Sequence, residues 1–234
     1  MALILSIETA TEVCSASLAL DGKSIALKET QGSNEHSAQL TLFIEEVMKE
    51  SGKSLHELDA IAISMGPGSY TGLRIGVSTA KGLCFALGKP LIAVSTLKSM
   101  ALIALSDFGD SWNREVLLCP MIDARRMEVF SALYDKELNE ISPVEAIILE
   151  EDTFRLYHDR QIIVFGNGSD KCKGLFTAQL NIQFPGLVFP SAIAIGRMAE
   201  EKFNQGDFEN TAYFEPFYLK DFIAGKPKVK GLHA

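Results

Sequence analysis

The chain has 234 residues, 47% of them hydrophobic and 22% charged, with a formal net charge of −8. That balance fits a globular protein with a sizeable core, and the acidity argues against a bulk electrostatic grip on nucleic acid, which needs clustered Lys and Arg. The longest purely apolar run, 100–105, is far below the roughly 20 residues that span a bilayer, and the opening lacks a basic-then-apolar leader, so no membrane contact and a cytoplasmic location are expected.

Residues 3–7 are a short apolar run suited to a buried strand. Residues 13–20 alternate, with Ser15 and Ser17 between apolar neighbours, and Asp21-Gly22 predicts a hairpin turn into a third strand over 24–30. From Ser37 the period changes: Leu40, Phe43, Ile44, Val47 and Met48 recur at helical spacing until Gly52. An apolar strand over 58–65 runs into Gly66-Pro67-Gly68, followed by a helix over 71–87, a strand near 91–94 and a helix over 97–105. The order β-β-β-α-β-α-β-α predicts an α/β fold with a mixed sheet and helices outside it.

A polar break over 106–114, with Asp107, Gly109, Asp110 and Asn113, predicts a domain boundary that divides the chain into 1–107 and 108–234. The second half opens in the same style. Strands over 116–122 and 127–133 flank the charged turn 123–126, and 135–139 leads toward a third. No period is legible over 136–160. A strand over 162–165 ends in Gly166-Asn167-Gly168-Ser169, and Ser191 starts a helix expected to turn Ile193, Ile195, Met198, Ala199 and Phe203 inward. An aromatic-rich end with Tyr213, Phe214, Phe217 and Tyr218 precedes a tail carrying Lys220, Lys226, Lys228 and Lys230. That tail is a solvated terminus or a contact to RNA or an acidic partner.

The helix over 71–87 is unusual in its glycines. Gly costs about 1 kcal/mol against Ala in a helix interior, yet Gly72, Gly76 and Gly82 all fall within it, and Gly72, Gly76 and Ala80 share one stripe. Such a stripe admits another backbone at close range, either the domain's own or a partner's. With Arg74 and Lys81 as its only charges, the helix is expected to be buried nearly all round.

Several residues could carry chemistry. Glu8 and Thr9 close the first strand, where a phosphate or metal-bound phosphate could sit or where they simply form a polar turn. Ser69, after the Gly-Pro-Gly turn, is either part of an anion site at a helix N-terminus or an N-cap. Asp123 could act as a base or ligand and Arg125 or Arg126 could hold an anion; otherwise 123–126 is an exposed hairpin with an internal Asp–Arg pair. Gly166 and Gly168 mark a second strand-to-turn glycine site. His36 reads as a cap or a surface residue. Cys14, Cys84, Cys119 and Cys172 lack zinc-like spacing, and no Ser-His-Asp, Cys-His or HExxH arrangement is present.

Four segments, ILSIETAT, GPGSYTGLRIGVSTAKGLCFALGKPL, MIDARRMEVFSALYD and FGNGSDK, together resemble the TsaB (YeaZ) family of the bacterial tRNA threonylcarbamoyladenosine machinery. The resemblance covers nearly the whole chain and is strongest over 1–134. The central block is shared in modified form with the catalytic paralogue TsaD, called Kae1 in other lineages. The resemblance implies the actin, Hsp70 and sugar-kinase (ASKHA) fold, with two RNase-H-like subdomains. Catalytic relatives hold a metal with a His-x-x-x-His pair, and Thr96 and Met100 stand at the matching positions here. Neither supplies an imidazole ligand, so no metal, no catalytic residue and a non-enzymatic role are implied.

The family also implies pairing with a TsaD-like subunit through the first two helices, self-association when alone, help in recruiting a TsaE-like ATPase, and tRNA contact only through the complex. The interface is expected at Leu40, Phe43, Ile44, Val47, Gly72, Leu73, Gly76, Val77 and Ala80, so that Val47→Asp or Gly76→Leu breaks self-association and spares the fold. No cofactor is required, with weak ATP or ADP binding at the complex, and a residual nucleotide cleft would comprise Glu8, Thr9, Ser69, Asp123, Arg125, Gly166 and Gly168. The alternative is an active ATP-dependent phospho- or acyltransferase of the superfamily working through Glu8, Ser69 and Asp123.

Overall fold

The structure, a computed structural model, describes residues 1–32, 36–113, 115–176 and 179–220. Lys226, Lys228 and Lys230 lie outside the described residues, as does the side chain of His36. In the first half, β1 (Leu3–Glu8), β2 (Val13–Leu20) and β3 (Lys23–Gln31) form an antiparallel meander, followed by α1 (His36–Ser51), β4 (Ala60–Gly66), α2 (Tyr70–Leu87), β5 (Leu91–Ser95) and α3 (Thr96–Phe108). The strand order is β3-β2-β1-β4-β5, with β4 and β5 parallel to β1. The second half contains β6 (Leu117–Asp123), β7 (Glu128–Tyr134), β8 (Glu140–Ile148), β9 (Ile162–Phe165), β10 (Ile182–Gln183) and α4 (Ala192–Gln205). Its order, β10-β9-β6-β7-β8, repeats the first, so the two halves share one sheet topology. The halves differ in their helices. Where the first carries α1 and α2, the second has single 3-10 turns at Arg155–Tyr157 and Ser169–Lys171.

The alternation of side chains along a strand sorts the first sheet into two cores. Leu3, Leu5 and Ile7 face α1 and α2, where they meet Leu40, Ile44, Val47, Val77 and Ala80. Ala2, Ile4, Ala62 and Val94 face the other way and meet Ile195 and Ala199 of α4. Meanwhile Leu97, Met100 and Ala104 of α3 pack with Leu118, Ile122 and Phe165 of the second sheet. Each sheet is therefore covered on one face by a helix from the other half of the sequence. The chain also returns after α4: Glu209 N–H donates to Leu91 O (2.8 Å), Phe217 N–H to Met65 O (2.7 Å), and Phe214 enters the first core. A division at 107 and 108 thus cuts across the packing, because α3 belongs to the second core while α4 and the segment after it belong to the first. Within α4, Ile195 and Ala199 are buried, but Ile193 is 44% exposed rather than inward.

The glycine stripe of α2 is covered by the chain's own β1. A Cβ on Gly72 would lie 2.0 Å from Thr9 O, and one on Gly76 would lie 2.2 Å from Thr9 Oγ1. The hydroxyl of Thr9 donates to Gly72 O at 2.9 Å. Leu40, Ile44, Val47, Leu73, Val77 and Ala80 are likewise buried inside, and Phe43 packs partly buried against the same core. This corrects the expected interface: an amphipathic helix commits its apolar stripe first to its own sheet, so these residues are not an outer face. Val47→Asp and Gly76→Leu would damage the fold itself. Nor is α2 buried all round, since Thr71, Arg74, Ser78, Gly82 and Phe85 face outward, Phe85 with 90% exposure.

Opposite effects are expected at two glycines of one helix. Gly76→Ala should destabilise the protein by about 1–3 kcal/mol through overpacking against Thr9. Gly82→Ala, whose added Cβ meets nothing within 4 Å, should stabilise it by up to about 1 kcal/mol. Urea unfolding midpoints measure both.

Candidate functional site

The carboxyl ends of β1, β4, β6 and β9 converge between the two sheets, the place where open α/β sheets bind ligands. On the first wall, Glu8 is fully buried. Its Oε1 accepts from Ala10 N–H (2.6 Å) and from the Ser64 hydroxyl (2.9 Å). Burial nevertheless dominates, pushing the carboxyl from 4.5 up to about 7 against the opposing pull of those hydrogen bonds. Glu8 Oε2, Ser6 Oγ and Thr96 Oγ1 are buried with no hydrogen-bond partner among the described residues. An ion there would be costly, and a protonated acid is the cheaper occupant.

Beside Glu8 lies the turn after β4, which contains a cis Gly66–Pro67 bond. A Cβ on Gly68 would be 2.2 Å from Ala10 O. Ser69 N–H donates to that same carbonyl at 2.6 Å, and Gly72 N–H donates to Ser69 Oγ at 3.3 Å, so Ser69 acts as the N-cap of α2. The Ser69 and Gly72 amides of this turn are thus bonded within the chain.

The second wall is equally tight. A Cβ on Gly166 would approach Met121 O to 2.3 Å and the Met100 methyl to 2.7 Å, and one on Gly168 would lie 3.0 Å from Ile122 C. Asp123 Oδ1 accepts from Arg125 N–H (2.6 Å) and pairs with Lys171 Nζ (2.5 Å), so its cationic partner is Lys171 and not a neighbouring arginine. Arg125 and Arg126 are exposed, with φ of 70° and 49°. They form the tip of the β6–β7 hairpin.

Asn167 joins the walls. Its Oδ1 accepts from Asp123 N–H at 2.9 Å, and its Nδ2 donates to Glu12 Oε2 at 2.6 Å, a hydrogen bond between residues 155 apart in sequence. The structure thus assembles Glu8, Thr9 and Ser69 on one side and Asp123, Gly166 and Gly168 on the other. Sequence reasoning missed the residues that connect them, Glu12, Asn167 and Lys171. Asn167 had a signal, since it stands between two glycines whose small size lets its amide reach both sides. Glu12 had none.

Thr96 and Met100 sit at the first turn of α3, both buried, with Met100 filling the gap above Gly166. A hydroxyl and a thioether do not fit a divalent metal site, and no group of three His, Cys, Asp or Glu that could hold one is found among the described residues. None of the four cysteines is in a disulfide. Burial raises their thiols to about 11 for Cys14 and Cys172 and about 12 for Cys84 and Cys119, which disfavours a nucleophilic thiolate.

Glu8 sets a pH dependence whose sign follows from its raised pKa. The folded state keeps a proton that the unfolded chain releases near 4.5, so this group lowers stability as pH rises from about 4.5 to about 7. Glu8→Gln should remove that slope, gaining on the wild type by up to about 3 kcal/mol at pH 8 and by little at pH 4 in parallel denaturant titrations. Asn167→Ala should speed amide hydrogen exchange at 121–124 and leave exchange in α1 unchanged.

Residues 29–156 match the TsaD family, described as tRNA N6-adenosine threonylcarbamoyltransferase. YeaZ from Pseudomonas aeruginosa superposes with a TM-score of 0.79 at 26% identity, over 94% of this chain and 100% of that one. The tRNA threonylcarbamoyladenosine biosynthesis protein TsaB of Haemophilus influenzae is 28% identical over 95% of each chain. That of Escherichia coli is 32% identical over 95% of this chain and 96% of its own. With this identity across nearly the whole of both chains, the protein belongs to the TsaB family.

Proposed function

We propose that this chain acts in tRNA threonylcarbamoyladenosine biosynthesis as a non-catalytic subunit. It binds and activates a TsaD-like catalytic paralogue, helps recruit a TsaE-like ATPase, self-associates when alone and works in the cytoplasm. The observation that carries this reading is the fate of the Thr96–Met100 turn. Where the catalytic relatives place metal-binding histidines, this chain buries a hydroxyl and packs a methionine methyl against Gly166. The closed turn at Gly68 and Ser69 supports it too, because a nucleotide would have to displace bonds the fold already makes. No observation favours the active phospho- or acyltransferase.

The partner surface moves to the outer face of α2 and its neighbour α1. Phe85 is 90% exposed and Leu42 is 55% exposed. Gly82, one turn before Phe85, has open space where a side chain would stand. A glycine in an exposed helix interior lowers helix stability, and nothing among the described residues repays it. A close-crossing helix of a paralogue or second copy would.

Co-purification with the host's TsaD-like protein, followed by a tRNA modification assay with and without this chain, tests the proposal. A stable complex, with modification only when both are present, is expected. Phe85→Asp should keep the wild-type melting temperature, Gly82→Leu should melt no lower than the wild type, and both should lose the complex. Modification by this chain alone would overturn the non-catalytic reading, and unchanged association of both variants would overturn the surface.

A further inference from the structure

A groove of about 430 Å³ lies along α2, between that helix and the segment 214–218 that returns along it. Its character is aromatic and cationic. The rings of Tyr70 and Tyr218 stand 5.0 Å apart at 36°. The Arg74 guanidinium lies over the Tyr70 ring at 5.4 Å, and its Nη1 donates to the Tyr70 hydroxyl at 3.2 Å. Lys81 closes the far end and fixes the returning segment, donating to Ala212 O (3.2 Å) and Phe214 O (2.9 Å). Phe217 N–H, bonded to Met65 O, fixes it from below. The rings are thus held in place before any ligand arrives, while Tyr218 remains 38% exposed.

Charge is sorted in the same direction. The only charged residues of α2, Arg74 and Lys81, both line this groove, against a single acid, Glu215. Arg74 makes no ion pair with a carboxylate among the described residues. Three positions after Tyr218 the sequence enters 221–234, which holds Lys226, Lys228 and Lys230 and one acid, Asp221, in a chain whose net charge is −8. A guarded aromatic face with an unpaired guanidinium beside it and lysines following is the composition of a single-strand nucleic-acid contact, where bases stack on rings and phosphates meet cations.

We propose that this groove binds single-stranded RNA, with an unpaired base stacked on Tyr218 and the adjoining phosphate held by Arg74. The contact is local and modest, as befits an acidic protein. It adjoins the proposed partner surface along the outward side of α2: Arg74 precedes Phe85 by eleven positions on the helix, about 16 Å along its axis, and Lys81 at the groove's far end neighbours Gly82.

Fluorescence anisotropy of a labelled ten-nucleotide single-stranded RNA with the full chain alone, at low salt, is the test. Saturable binding is expected. Tyr218→Ala should weaken it about 5- to 150-fold, and Arg74→Ala should weaken it and lower the salt slope by about 0.7. Arg197→Ala, on α4, should leave it unchanged. Should Tyr218→Ala melt abnormally, the exposed Arg74→Glu decides alone. The proposal is overturned if the wild type does not bind, if Arg74→Glu binds as the wild type, or if a duplex competes equally. It fails equally if AMP competes as well as the RNA, which would make the groove a free-nucleotide site. Complete loss in a Lys226→Glu, Lys228→Glu, Lys230→Glu variant with full retention in Tyr218→Ala would assign binding to the tail and overturn it too.

Discussion

The exchange of helices between the two sheets is the constraint on which the rest of the structure depends. The α3 helix is contiguous with the first sheet in sequence but contributes Leu97, Met100 and Ala104 to the second core. The α4 helix, made last, contributes Ile195 and Ala199 to the first. Neither half can therefore complete its apolar core from its own stretch of chain, and separating the halves would expose both cores to water. At roughly 25 cal/mol for each Å² of apolar surface, that coupling outweighs any single polar contact across the junction. The Asn167–Glu12 bond sets the fine geometry of a junction that apolar burial already holds.

With the halves locked, the space between the strand ends is filled from within. Thr9 sits against the glycines of α2, Ala10 occupies the Gly-Pro-Gly turn, and Met100 covers Gly166. Each close approach occurs where a glycine has given up its side chain, so the glycines serve internal packing. Glu8 is the residue least at ease with this closure. It is held in a dry environment where only its protonated form is well accommodated, with its two hydrogen bonds gathered on one oxygen.

The asymmetry between the halves has a functional side. The first half retains two full helices over its sheet, whereas the second replaces them with short turns. The proposed partner surface lies on these two helices, and α2 carries distinct features along its outward side. Toward its C-terminus it presents Phe85 and the open Gly82, and toward its N-terminus Arg74 and Tyr70 beside the returning segment 214–218. One helix, anchored by its glycine stripe to β1, thereby displays two surfaces of different chemistry.

Much of the fold was legible in sequence because local physics dominates it. Alternation and the Asp21-Gly22 turn marked the opening meander, helical spacing marked α1, and the repeated strand pattern pointed to two related halves. The side-chain chemistry of Thr96 and Met100, a hydroxyl and a thioether, was likewise readable, since it belongs to residue type. Tertiary structure alone decided which face each helix shows. A stripe at 3.6-residue spacing says that a surface is covered but not by what, and the stripe of α2 proved to be covered by Thr9 and not by a partner. It also decided where α3 and α4 pack, because a helix of either half offers similar apolar area to either sheet and only three-dimensional closure distinguishes them. The Glu12–Asn167 link and the Tyr70–Tyr218 groove join residues more than a hundred positions apart, and no local pattern encodes such a meeting.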